Sequence, residues 1–159
     1  ESGAGTGGKG HYTTDAIQFY SKARIERAND MPPTVKNILL FAKTMRDRYG
    51  IYYYGKAQNL VRTLRAAYDK AFEDYDVIIM PSSPMKAHKH LKDNASPEEV
   101  VGNALDMLGN TSPFDSTGHP SMSLPAGMSN GLPVGMMITG RTGEDDVVLR
   151  VGDAFEKLN

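Results

Sequence analysis

The side chains in this sequence that could perform nucleophilic chemistry are serines, and two pairs stand out. Ser82 and Ser83 lie between prolines without flanking glycines, whereas Ser121 and Ser123 alternate with apolar residues as a strand does. A serine hydroxyl is a poor nucleophile until a positioned base takes its proton and N–H groups hold the developing oxyanion. Serines in turns more often form hydrogen bonds with the backbone. We therefore assign no catalytic residue to this chain.

The four histidines could in principle act as acids, bases or metal ligands. His88 and His90 are two residues apart in a basic loop, where we expect only weak, adventitious metal binding. No metal site is predicted, because a dedicated zinc site needs more ligands and a fixed surrounding shell. His119 follows Gly118, which supplies an unusual backbone conformation, and precedes Pro120, which restricts it to an extended one. We expect His119 to be a structural residue bonded to a backbone carbonyl rather than a catalytic one.

The glycine-rich opening, residues 3–10, allows two interpretations. Such segments bind phosphate when they follow a strand and open a helix, with Lys and Ser or Thr at fixed positions. Here no strand precedes the segment, and Lys9-Gly10 is followed by His11. A flexible loop is therefore favoured over a phosphate site.

Composition excludes several classes of function. The chain has 159 residues, enough for one domain with a moderate core, and its net charge is -1. This balance leaves no electrostatic footprint for nucleic acid or a membrane surface. The chain contains no cysteine, so disulfides and thiolate catalysis are excluded, which is compatible with a cytoplasmic location. No apolar run approaches the roughly 20 residues that span a bilayer.

Apolar spacing predicts three helices in the first half of the chain. Thr14 or Asp15 caps the first, and Pro32-Pro33 ends it. The second ends at Gly50. The third has charges of alternating sign on its outer face, which favours a solvated surface over a nucleic-acid site. Its apolar stripe comprises Ala57, Leu60, Val61, Leu64, Tyr68, Ala71, Phe72 and Tyr75.

Strands and further helices are predicted beyond that point. Residues 76–80 form a continuous apolar run that suits a strand covered on both faces. Ser96 is a helix cap followed by proline and acids, so a helix should run to about Leu108. Two strands, residues 121–124 and 134–139, are separated by Asn130-Gly131, a pair that favours a tight hairpin. A last helix begins near residues 143–145.

Several segments, in order and at consistent separations, carry a resemblance to a known family. They are residues 54–60, 76–81, 113–120, 124–127 and 131–141. The chain resembles amidase signature enzymes, in the branch found beside nitrile hydratases. The resemblance implies an α/β fold with a mixed sheet flanked by helices. It also implies that residues 1–159 are the C-terminal portion of a single domain, with residues 1–13 as a lead-in loop.

What the resemblance implies about function is hydrolysis of small aliphatic or aryl carboxamides to a carboxylic acid and ammonia. The family's two serines and lysine would lie upstream of this chain, so the segment alone should be inactive. No metal or organic cofactor is implied. The partners expected are the amide substrate and the missing N-terminal half, and a homodimer is compatible with the family. Because the chain begins with Glu1 rather than Met, we expect a preceding segment.

The contribution expected from this half is the substrate pocket. Leu105 and Leu108, three apart on the predicted helix, share one face and could line an acyl cavity. Phe114 and Ile138, with Met136, are candidates on weaker grounds. Ordinary core packing is the alternative for each of these residues. Three polar residues are predicted to be structural: Asn110 and Asp115 should hold the loop backbone, and Arg141 should pair with an acid or cap carbonyls.

A second hypothesis belongs to another class. The chain could be a non-catalytic module or pseudoenzyme fragment that folds alone and binds a ligand or partner. Removing half of a shared sheet should expose a sheet edge and apolar faces. A monomer that folds cooperatively by itself would favour the module, whereas a chain that needs the missing half should associate.

Overall fold

The computed structural model describes residues 12–158, which form six α-helices, one 3-10 turn and three strands. Residues 1–11, including the glycine-rich segment and most of the predicted lead-in loop, lie outside the described residues. The helices are α1 (Thr14–Glu26), α2 (Pro33–Tyr49), α3 (Tyr52–Ala71), α4 (Pro97–Asp106), α5 (Ser112–Thr117) and α6 (Asp145–Glu156). The strands are β1 (Val77–Pro81), β2 (Ser121–Ser129) and β3 (Leu132–Gly140). This arrangement confirms the predicted α/β class.

The helix signals in the first half predict the elements correctly, except at the two ends of α1. Its N-cap is Thr13, which makes no side-chain capping hydrogen bond, rather than the predicted Thr14 or Asp15. That helix ends at Glu26 rather than at the prolines, and a 3-10 turn at Ala28–Asp30 follows it. Arg27 Nε donates a hydrogen bond to Asp30 Oδ2 at 2.7 Å across this turn. Because the turn tightens the chain before Pro32, the helical hydrogen bonds stop earlier than proline requires.

A complete capping box begins α4. Ser96 Oγ accepts a hydrogen bond from the Glu99 N–H at 3.2 Å, and the Ser96 N–H donates to Glu99 Oε2 at 2.8 Å. The pKa of the Glu98 carboxyl is lowered, because it accepts its own backbone N–H and also the Ser96 hydroxyl. The helix ends at Asp106, so Leu108 lies just beyond it rather than on it as predicted.

Sequence reasoning missed the short helix α5. The sequence predicts a loop here, yet proline lies in the first turn of α5 and Gly118, with φ of 76°, ends the helix. Proline at the start and a left-handed glycine at the end are the ordinary signals of a helix. The helix has only six residues, too few for an apolar period to emerge.

The sheet is antiparallel, with β3 in the centre between β1 and β2. Ile138 of β3 lies opposite Ile79 of β1 and Met122 of β2. The predicted hairpin is confirmed: β2 and β3 pair up to the turn at Asn130 and Gly131. A mixed sheet was expected, but among the described strands every pairing is antiparallel.

The prediction that β1 is covered on both faces is wrong for the described residues. The strand lies at the sheet edge, and the side chain of Ile79 is 56% exposed. A continuous apolar run signals two buried faces only when a second layer packs over it. No described element provides that layer over Ile79.

The core lies where α6 packs against one face of the sheet. Its buried residues are Leu124, Ile138 and Val148, surrounded by Val77, Met122, Met136, Val151 and Phe155. Alternate residues of a strand share a face, so Met136 and Ile138 point towards α6 while Met137 points away. This assignment decides which residues remain for a site on the opposite face.

We predict that Ser96→Ala lowers the free energy of unfolding by about 1 kcal/mol, because the Glu99 N–H loses its acceptor. Urea unfolding followed by circular dichroism measures the change. The control is Ser116→Ala, an exposed serine of α5, which should change stability by less than about 0.5 kcal/mol. Equal effects of the two substitutions would show that the capping box does not stabilise α4.

Candidate functional site

Hydroxyl groups collect on the face of the sheet opposite α6. Ser82, just after β1, and Ser123 of β2 share a hydrogen bond with their Oγ atoms 2.5 Å apart. Ser121 Oγ lies 2.9 Å from Thr139 Oγ1. The serines are therefore hydrogen-bonded, as expected of structural serines, although these partners are other hydroxyls rather than backbone groups.

Gly135 makes the close approach of Ser82 and Ser123 feasible. A Cβ atom at Gly135 would lie 2.7 Å from Ser82 Oγ and 3.0 Å from Ser123 Oγ. Both distances are shorter than side-chain contacts normally allow. The backbone adds a further tie, since the Ser82 N–H donates to the Gly135 carbonyl at 2.8 Å. The pair of hydroxyls thus depends on a residue without a side chain at this position.

A cavity of about 270 Å³ opens on this face. It is lined by Ser82, Thr111, Phe114, Asp115, His119, Ser121, Met122, Ser123 and Met137. Apolar surface from Phe114 and Met137 is combined with hydroxyl groups and one carboxylate. Binding sites for small molecules characteristically have such a lining of apolar surface with a few convergent polar groups.

Asn110 and Asp115, both near this cavity, differ in whether their side chains form hydrogen bonds. Asn110 Nδ2 donates a hydrogen bond to the Pro81 carbonyl at 2.8 Å and so ties the loop before α5 to the end of β1. This confirms that Asn110 is structural. The same prediction for Asp115 is wrong: among residues 12–158 its carboxylate makes no side-chain hydrogen bond, and it lines the cavity instead.

His119 is buried, and it joins three elements. Its Nδ1 lies 2.8 Å from Thr117 Oγ1 at the end of α5, and its Nε2 lies 3.2 Å from Asp69 Oδ1 of α3. The rings of Tyr68 and Phe72 pack against it, with centroids 5.7 and 5.3 Å away. The expected backbone carbonyl partner is therefore wrong, because α3 brings a carboxylate that the local sequence does not show.

Thr117 links His119 to the start of α5. Its Oγ1 donates to the Pro113 carbonyl at 3.0 Å and also contacts His119 Nδ1. On the other side of the ring, Nε2 faces the Asp69 carboxylate of α3. The arrangement suits fixing α3 to α5 rather than transferring protons.

The four side chains predicted to line an acyl pocket are not brought together on one surface. Leu105 and Leu108 are 53% and 44% exposed, at and just beyond the end of α4. Phe114 is 3% exposed, packs on Tyr68 and lines the cavity. Ile138 is fully buried and lies, with Met136, on the α6 face of β3.

The residues that sequence reasoning missed at this cavity are Thr111, Asp115 and Met137. The sequence analysis weighs Ser82 and Ser123 as nucleophiles and as structural serines, but not as the lining of a pocket. The alternation of residues 121–124 already placed Ser121 and Ser123 on one face and could have indicated a polar face there. Nothing in the sequence indicated that Ser82 reaches the same place, because about forty residues separate it from Ser123.

Arg141 behaves as predicted. Its Nε donates to the Phe72 carbonyl at 2.8 Å, and its Nη1 lies 3.5 Å from Glu144 Oε1. Within residues 12–158, no three His, Asp or Glu side chains are grouped to hold a metal ion. In the same part of the chain, no helix combines the length and apolar character needed to cross a membrane.

Large apolar side chains remain uncovered on the first three helices. None of α1, α2 and α3 contains a buried residue. An open groove of about 590 Å³ lies where α2 meets α3, lined by Phe41, Ala42, Met45, Arg46, Gly50, Ile51, Tyr53 and Tyr54. Soluble monomers seldom expose so large an apolar surface.

The family follows from the sequence match. The family model named Amidase matches residues 9–149 of this chain. The chain therefore belongs to the Amidase family, which confirms the resemblance to amidase signature enzymes.

Two curated relatives show how far the likeness extends. The chain is 45% identical over 157 residues to the "Uncharacterized protein in nthA 5'region" of Rhodococcus erythropolis, covering 99% of this chain and 79% of that protein. It is 41% identical over 155 residues to the enantioselective amidase of Rhodococcus rhodochrous. That match covers 97% of this chain but only 29% of the amidase. The chain therefore spans less than a third of that enzyme.

Solved structures give the same picture of the fold. A bacterial aryl acylamidase of the amidase signature family matches with a TM-score of 0.65 at 23% identity, over 91% of this chain and 31% of that one. A 6-aminohexanoate cyclic dimer hydrolase matches with a TM-score of 0.57 at 23% identity, over 78% of this chain and 27% of that one. These likenesses confirm the α/β fold as that of amidase signature enzymes.

We predict that Gly135→Ala destabilises the protein by about 1–3 kcal/mol, because the new methyl group overlaps the Ser82 and Ser123 hydroxyls. Ser82→Ala in the same chain removes the nearer oxygen and should recover part of the loss. A double-mutant cycle from urea unfolding measures the coupling. Additive effects of the two substitutions would contradict the proposed contact.

Proposed function

We propose that this chain is the C-terminal portion of an amidase that hydrolyses small aliphatic or aryl carboxamides to a carboxylic acid and ammonia. The observation that carries the proposal is 41% identity to an enantioselective amidase across 97% of the chain. The likeness in fold to an aryl acylamidase is consistent with membership of the same family. No metal or organic cofactor takes part in the proposed reaction, and the location proposed is the cytoplasm.

The nucleophile and its base come from the preceding part of the enzyme in this proposal. The serines nearest the cavity are already engaged, Ser82 with Ser123 and Ser121 with Thr139. No lysine amine is hydrogen-bonded to them within the described residues, so these serines lack the lysine base that the family uses. A Ser-Ser-Lys set supplied from upstream, as in amidase signature enzymes, removes this difficulty.

The partner in this proposal is the N-terminal half of the same domain. Its presence would cover the apolar faces of α1, α2 and α3 and the exposed edge at β1. Residues 1–13 would then lead from that half into α1. A homodimer of the complete enzyme is compatible with this arrangement.

The substrate pocket proposed for the complete enzyme combines Phe114 at the cavity with Leu105 and Leu108 near the end of α4, although the cavity lining itself includes only Phe114. The exposed apolar surface of the two leucines is available to contact an acyl group beside the nucleophile. Ile138 was predicted from the sequence as a fourth pocket residue. Because its side chain lies among core residues, we propose that it supports the pocket indirectly by holding β3 in place.

The reaction is tested by comparing the 159-residue chain with a longer protein that includes the upstream reading frame. We expect no release of ammonia from small amides by the chain alone, and release by the longer protein. Ammonia can be measured with benzamide and propionamide as substrates. An inactive longer protein, together with a monomeric and cooperatively folded short chain, would support the alternative of a non-catalytic binding module.

We predict that Leu105→Trp and Leu108→Trp in the active, longer protein shift its preference from bulky towards small amides. The added ring would fill acyl space, so kcat/KM for the bulkier amide should fall about tenfold or more relative to the smaller one. Leu149→Trp is the matched control, because Leu149 is also an exposed leucine but lies on α6. An unchanged ratio in both pocket variants would remove the leucines from the site.

A further inference from the structure

The turn between β2 and β3 places an asparagine directly before a glycine. Asn130 has φ of 53° and Gly131 has φ of 77°, so both central residues are left-handed, as in a type I′ turn. Both residues are at the surface, and Asn130 is the only asparagine of the sequence that is followed by glycine. We propose that Asn130 is a site of spontaneous deamidation, and that opening of this turn controls the rate.

The reaction needs only water. The deprotonated backbone nitrogen of Gly131 attacks Cγ of Asn130, which forms the N–Cγ bond of a five-membered succinimide. The Cγ–Nδ2 bond breaks, and Nδ2 takes up a proton and leaves as ammonia. Water then adds to one of the two imide carbonyls and opens the ring. The products are aspartate and isoaspartate, in which the main chain runs through the former side-chain carbon.

Glycine makes this attack easy, but the folded turn opposes it. Gly131 has no Cβ to hinder the approach of its nitrogen to Cγ. Ring closure nevertheless requires the Asn130–Gly131 peptide to rotate out of the left-handed turn. Pairing of Ser129 with Leu132 on either side of the turn prevents that rotation. The reaction therefore proceeds from the fraction of molecules in which the turn has opened.

Opening is expected to be local. The regular pairing of β2 with β3 is interrupted between Pro125 and Met128, where Gly127 has φ of 117°. Only two pairs, Met128 with Pro133 and Ser129 with Leu132, hold the tip beyond this irregularity. Pro133 has no N–H to donate to its partner strand. Short segments with few hydrogen bonds open at a small fraction of the global unfolding free energy.

The modification would change a cavity wall next to the turn. Ser129 and Pro133 line a cavity of about 430 Å³ together with Lys86 of the loop after β1. Isoaspartate adds one carbon to the backbone of a two-residue turn, which the I′ geometry cannot accommodate, and either product adds a negative charge. The pairs before the irregularity, such as Ser123 with Met137, should persist. The change is therefore confined to the hairpin tip.

The test incubates the longer protein that includes the upstream reading frame at mildly alkaline pH, either folded or in urea, with circular dichroism as the check on folding. Peptide mass spectrometry measures the acid formed at Asn130, and isoaspartate-specific methylation identifies one product. We expect conversion at Asn130 in both states, about tenfold or more slower in the folded chain. Asn110, which precedes threonine, is the internal control and should convert far more slowly in urea.

Two variants test separately whether Asn130 is the residue that reacts and whether the turn sets the rate of the reaction. Asn130→Gly keeps a turn that accepts positive φ and should abolish the signal. Ser129→Gly loosens the strand end and should raise the rate in the folded chain about two- to fivefold without changing it in urea. Equal rates in the folded chain and in urea would overturn the role of the turn. Absence of acid at Asn130 in urea would overturn the site itself.

Discussion

The alternation of side chains along β3 is the constraint on which the rest of the structure depends. β3 pairs with both other strands, so each of its residues is assigned to one of two faces. Ile138 closes the core under α6, whereas its neighbour Met137 lines the cavity on the opposite face. A slip of one residue would exchange these roles and bring Met136 beneath the serines in place of Gly135.

The two faces of the sheet differ in how far other elements cover them. The α6 face has a closed core, while the hydroxyl face is covered only in part, where His119 joins α3 to α5. The first three helices contain no buried residue. The chain spans only 29% of the enantioselective amidase that it matches.

Local signals predicted most of the elements correctly. The capping box at Ser96, the apolar stripe of α3 and the Asn130-Gly131 turn each act within a few residues, and each is present in the structure. The failures concern what covers or contacts an element. β1 was expected to have two buried faces, and His119 was expected to bond to a backbone carbonyl. In each case the answer depended on residues distant in the sequence.

The sequence by itself determined the family and the class of fold, since these depend on residue types and short spacings. Only the tertiary structure decided that Ser82 meets Ser123 and that Asp69 meets His119, pairs separated by 41 and 50 residues. It also separated Phe114, at the cavity, from Ile138, in the core. The physical reason is that contacts across a sheet depend on register and layer packing, which local propensities do not encode.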